Sequence, residues 1–181
     1  MLDSNHMNLT ALQSIQRAFL FIETPEIVRS LGSQGVESIV FRFVWKNSGT
    51  TPTRHMTTHV SSQYFPAGLP REFSFPDWWS LNAEAHINTP VTAGPHGEAG
   101  IEAAPIPANE VGALLSRRTR LYFWGWAKYH DIFEGTPEHI TKFCMELVVF
   151  HGDPLSPSQS GAAIMNNCPV HNCYDDECEK Q

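Results

Sequence analysis

Apolar side chains recur every second residue along three stretches, and that rhythm limits the fold more than any other feature. In Ser38–Lys46, SIVFRFVWK, the side chains of Ile39, Phe41, Phe43 and Trp45 alternate with Ser38, Val40, Arg42 and Val44. In LYFWGWAKY, residues 121–129, Leu121, Phe123, Ala127 and Tyr129 share one face. Tyr122, Trp124, Trp126 and Lys128 share the other. HITKFCMELVVFH, residues 139–151, reads as the strand that returns from it. Successive side chains of a strand point to opposite faces, so a period of two places these segments in sheets. Both faces of 121–129 are largely apolar, which puts that strand in the interior of its sheet.

Turn chemistry divides the rest. The chain has 13 prolines and 12 glycines, more suited to short strands than to long helices. Strands are expected over 16–23, 38–46, 53–64, 98–106, 121–129 and 139–151. Turns are expected at SLGSQG (30–35), NSGTT (47–51) and around Gly135. One short helix is expected over EVGALLSRR, with Asn109 as its N-cap and Glu110 in the first turn. The expected fold is mostly β: an antiparallel, immunoglobulin-like β-sandwich with one short helix. Residues 1–15 read as a tail or the end of a helix, 16–152 as the sandwich, and 153–181 as an acidic, cysteine-rich tail behind the linker DPLSPSQSG.

Charge narrows the partners. The net charge is −7, and residues 153–181 hold five acidic residues against Lys180, a net of −4. The one dense basic cluster is Arg117, Arg118 and Arg120. A nucleic-acid partner is not expected. No apolar run is long enough to span a bilayer. The N-terminus lacks the basic, apolar and small-residue zones of a signal peptide. As written the chain is expected to be cytoplasmic, with its cysteines reduced. Membrane attachment would require an upstream anchor.

Candidate chemistry concentrates in the tail. Cys168, His171, Cys173 and Cys178 place three thiols and an imidazole within eleven residues. Thiolate and imidazole are the ligands zinc prefers, so a structural zinc site is one reading. The C-x4-C-x4-C spacing matches no common zinc module. A disulfide, which would leave one tail cysteine unpaired, and inert thiols in a mobile tail are the others. Such a tail could instead lie along a sheet edge and protect it. Cys144, between Phe143 and Met145, reads as a core thiol.

His130 and Asp131 adjoin, with His139 across the turn. Adjacent strand residues face opposite ways, so Asp131 is expected to bond the hairpin turn rather than act as half of a general base. There is no G-x-S-x-G elbow and no H-E-x-x-H. His55 and His59 read as surface residues of an edge strand. The glycines of GPHGEAG read as turn residues. Phe73, Phe75, Trp78 and Trp79 form an aromatic cluster in the long connection 65–88, either a lid over the core or a surface for an unknown protein partner. The expected function is that of a non-enzymatic interaction or accessory domain. The alternative is a small zinc module built on the tail.

Three segments carry a resemblance: Arg17-Ala18-Phe19, the turn Asn47-Ser48-Gly49-Thr50-Thr51-Pro52, and Tyr129-His130-Asp131-Ile132-Phe133. Together with the ending His171 to Cys178, they make the chain similar to a widespread group of uncharacterised bacterial proteins. The likeness covers roughly residues 16–150. It implies an immunoglobulin-like sandwich, in most members preceded by a membrane helix and a short linker helix. It implies no activity and no catalytic residues.

Overall fold

The structure, a computed structural model, describes residues 11–13, 15–77, 90–158 and 161–179. Residues 11–13, 15 and 16 are helical, and this turn closes with the Arg17 amide donating to the Gln13 carbonyl at 2.9 Å. The first strand therefore starts later than the sequence suggests. Ten strands follow among the described residues: β1 (Leu20–Ile22), β2 (Glu26–Gly32), β3 (Gly35–Asn47), β4 (Arg54–Phe65), β5 (Glu98–Glu102), β6 (Ile106–Pro107), β7 (Arg120–His130), β8 (His139–His151), β9 (Ala162–Asn167) and β10 (Cys173–Tyr174). The helix α1 spans Ala108–Leu115, and a 3₁₀ turn covers Asp175–Glu179.

Two antiparallel sheets face each other as a β-sandwich. In the first, β3 carries β1 and β2 along one edge and β5 and β6 along the other. In the second the order is β10-β8-β7-β4, and β9 joins β8 beside β10. The interior strand expected at 121–129 is β7, flanked by β4 and β8.

The alternating aromatics meet between the sheets. Phe41 and Phe43 of β3 lie 4.8 and 5.2 Å from the Phe123 ring of β7. Phe43 and Trp45 lie 5.2 and 5.6 Å from Phe143 of β8. All five side chains are essentially without solvent contact. Each buried aromatic removes roughly 150–250 Å² from water, so this column of rings dominates the hydrophobic driving force.

The other face of β7 is covered too. Tyr122, Trp124, Cys144 and Cys168 form a second, smaller core, against which Phe65, Leu69, Phe73 and Phe75 pack.

Several expectations are corrected. Residues 26–32 form β2, and the turn tightens to Ser33–Gln34, with Gly35 at φ 127°. Residues 98–106 are two strands, because Pro105 cannot donate to the ladder. Helix α1 has Pro107 at its N-cap position and no side-chain cap, so Asn109 is not the cap. Glu110 does sit in the first turn, where it accepts the Tyr64 hydroxyl at 3.1 Å. The chain beyond the linker does not hang free: β9 and β10 occupy the side of β8 away from β7, closing that edge.

Candidate functional site: an aromatic strap, a cationic groove and a bridged tail

Residues 66–77 run as a strap across the outer face of the second sheet. Phe73 stacks edge-on to Trp124 at 5.0 Å and to Phe75 at 5.0 Å. The indole N–H groups of the sheet hold the strap's end. Trp124 donates to the Pro76 carbonyl at 2.8 Å, and Trp126 donates to Asp77 Oδ1 at 2.9 Å. Phe73 and Phe75 are half-buried, so they cover the second core while keeping a face to solvent. Trp78 and Trp79 lie outside the described residues.

Beside the strap an open groove of about 710 Å³ is lined by Arg71, Phe75, Asp77, Trp126, Lys128, Lys142, Val170 and His171, among others. Pairing sets its floor. Trp126 is opposite Lys142 and Lys128 is opposite Ile140, so the two lysines are diagonal neighbours on one face. The Lys128 ammonium lies 5.0 Å from the centre of the Trp126 ring. His171, held at φ 62°, stacks flat on Phe75 at 4.2 Å. Burial, reinforced by the charge of Lys142, lowers its pKa to about 4, so the imidazole is neutral at pH 7.

The wall containing His171 is fixed by the tail. Cys168 is disulfide-bonded to Cys144, and Cys173 to Cys178. Cys144 is therefore not the isolated core thiol expected of it. The antiparallel approach of the tail lets Cys168 N–H donate to the Cys144 carbonyl at 2.9 Å and brings the two Cα atoms to 5.3 Å, a separation that a bridge spans. Asn172 locks the crossing. Its Oδ1 accepts from the Cys144 amide at 3.0 Å, and its Nδ2 donates to the Cys168 carbonyl at 2.8 Å. Cys168, His171, Cys173 and Cys178 are thus not gathered round one point. Among the described residues no group of three or more His, Cys, Asp and Glu could hold a metal ion. A disulfide sulfur offers no thiolate, so a zinc site would require the reduced chain.

No family model, no curated protein and no solved structure matches this chain.

Two polar clusters are assembled by the fold, and in the first Asp131 bonds its hairpin as expected. Buried His139 places Nδ1 3.2 Å from Asp175 and Nε2 3.1 Å from Asp131. Arg17 reaches the same Asp175 at 2.6 Å. Asp131 also bonds its own hairpin, accepting from the Phe133 amide and the Thr136 hydroxyl at 2.8 and 2.6 Å. The hydrogen bond to Asp175 raises the pKa of His139 despite burial, and that to Asp131 adds to it. Burial alone would raise Asp175. Hydrogen bonds from His139 and Arg17 outweigh it and hold the carboxyl at about 2. This is an ionic clasp joining three segments: the stretch before β1, the β7–β8 hairpin and the tail.

The second cluster corrects the reading of His59 as a surface residue. A bulge between Arg54 and Thr57 takes His55, at φ 51°, out of the alternation, and His59 turns inward beneath the strap. Its Nε2 lies 2.8 Å from Ser61 Oγ and 4.0 Å from Asp77 Oδ1. A nucleophile–base relay needs hydroxyl and carboxylate at opposite ring nitrogens. Here both face the same nitrogen, and Ser61 is buried, so the trio does not form that relay.

Proposed function

We propose that the chain is a non-enzymatic protein-interaction module whose contact face is the groove between the strap and the tail. One observation carries this reading: an aromatic sheet face, closed by the strap over Trp124, opens at Trp126 into a groove walled by Phe75 and His171. Aromatic anchors beside a cavity, rimmed by charge, are how interfaces concentrate their binding energy. The family likeness of the three motifs supports an immunoglobulin-like sandwich as the frame that presents the groove. The two bridges support a working compartment that is not reducing, in place of the cytoplasm expected from the sequence. No helix among the described residues is long and apolar enough to cross a membrane.

The test is selection from a random peptide library on immobilised, oxidised protein. Enriched peptides that compete with one another and are lost with Trp126→Ala, while circular dichroism is unchanged, support the reading. Enrichment indifferent to Trp126→Ala moves the contact elsewhere and overturns it, as does the absence of any enriched peptide.

A further inference from the structure

The groove is electropositive in an acidic chain. Arg71, Lys128 and Lys142 line it against the single carboxylate of Asp77, and that carboxylate already accepts the Trp126 indole. Of the eight lysines and arginines described outside the groove, four form ion pairs. Arg17 pairs with Asp175, Arg42 with Glu102, Lys46 with Glu23, and Arg120 with Glu146. Among the described residues, Arg71, Lys128 and Lys142 make no ion pair. Three cations against one carboxylate leave the concavity net positive, and an anion between them finds a complementary wall. The volume fits a few side chains. The neighbouring wall of Phe75, Ile140 and Val170 is apolar.

We propose that this groove binds a short acidic peptide segment. Its carboxylates sit among Arg71, Lys128 and Lys142, and an adjoining apolar side chain lies on Phe75 and Val170. A long polyanion such as a nucleic acid fits less well. It would extend beyond three cations over a surface whose net charge is −7. The proposal rests on the interaction reading above and adds the chemistry of the partner.

The experiment is fluorescence anisotropy on oxidised full-length protein. The probe is a labelled Glu-Glu-Leu-Glu-Glu peptide, compared with its Gln-Gln-Leu-Gln-Gln counterpart and a single-stranded oligonucleotide. Saturable binding of the glutamate peptide is expected, on the order of tenfold tighter than the glutamine one and weakened by added salt. The Lys128→Gln/Lys142→Gln pair should lose on the order of tenfold in affinity, while Lys46→Gln on the first sheet should not change it. Should the pair fail to fold, Arg71→Gln, at an exposed strap position, is read instead. Equal binding of both peptides, tighter binding of the oligonucleotide, or equal losses in the groove and Lys46 variants overturns the proposal. If the library instead yields neutral peptides that depend on Trp126, the interaction reading stands and the acidic partner falls.

Discussion

At the scale of single residues, two side chains organise the end of the sandwich where the segment before β1, the β3–β4 turn and the β7–β8 hairpin meet. Asn47 is fully buried, and its amide accepts from the Phe19 and Gly49 N–H groups while donating to the carbonyls of Thr51, Ala93 and Gly94. Gly49 is required because a Cβ there would fall on the Arg17 carbonyl. Asn47→Asp keeps the shape but turns the donor into an acceptor facing three carbonyls. It should cost roughly 3 kcal/mol, lowering Tm by about 8 °C in a thermal melt with the fold retained at low temperature. Asp175 gives the second prediction. Its carboxyl titrates at about 2 when folded against 3.8 ordinarily, so its contribution is complete above pH ~4 and disappears as pH falls through the folded value. His139 acts oppositely. Its pKa is raised above 6.5, so its contribution is complete below that value and is lost as pH rises through the folded one. His171, with its folded pKa of about 4 below the ordinary 6.5, extends the acid loss upward, so urea midpoints should be highest near pH 6.5 and fall on both sides. Asp175→Asn should flatten the acid limb below pH ~4 and shrink the alkaline one. An unchanged profile in that variant would show that the clasp carries no stability.

At the scale of elements, legibility followed the strength of the periodic signal. The cores of β3, β7 and β8 were readable because their aromatics alternate strictly and have somewhere to go: each other. The strand β2 was not readable. Glu26–Gly32 has no fully buried side chain, and its place is set by pairing with β3 rather than by a pattern of its own. The tail strands were equally opaque. The sequence Ala162–Asn167 buries only Ala163, and tertiary pairing to β8 decides its state. The aromatics of 65–77 were visible as a cluster, but their role depended on Trp124 lying beneath them. Asp131 and His139 share one hairpin, but Arg17 and Asp175 lie far from it and from each other in sequence and could join them only through the fold. The cations of the groove come from the strap and two strands, and no local pattern joins them. The strap's role is open to test. Phe73→Ala should cost about 2 kcal/mol, since the side chain is only half-buried, and should increase acrylamide quenching of tryptophan fluorescence as Trp124 is uncovered. Unchanged quenching would mean that Phe73 does not shield the indole.

At the scale of the whole molecule, the sandwich core and the tail are held by different forces, and this separates what reduction can undo. The column of rings between the sheets needs no bridge. The tail buries few large side chains, and its attachment relies on the pairing of β9 and β10 with β8, the Asn172 crossing, the Asp175 clasp and the Cys144–Cys168 bridge, while Cys173–Cys178 closes the tail on itself. Cys144 and Cys168 are 24 residues apart, a loop whose closure is worth about 3.5 kcal/mol in the chain-entropy account. Cys173 and Cys178, five apart, give about 2 kcal/mol. Loss of the longer loop should therefore dominate. Cys144→Ser/Cys168→Ser should lower Tm more than Cys173→Ser/Cys178→Ser, and both should keep a β-sheet circular dichroism spectrum. Because the 144–168 bridge also fixes the segment bearing Val170 and His171, the first pair should loosen the groove wall. Hydrogen exchange would then speed up at residues 168–174 while the amides of β3 and β7 stay protected. Equal exchange across the chain in that variant would mean that tail and core unfold as one unit, and that the groove cannot be dismantled without the sandwich.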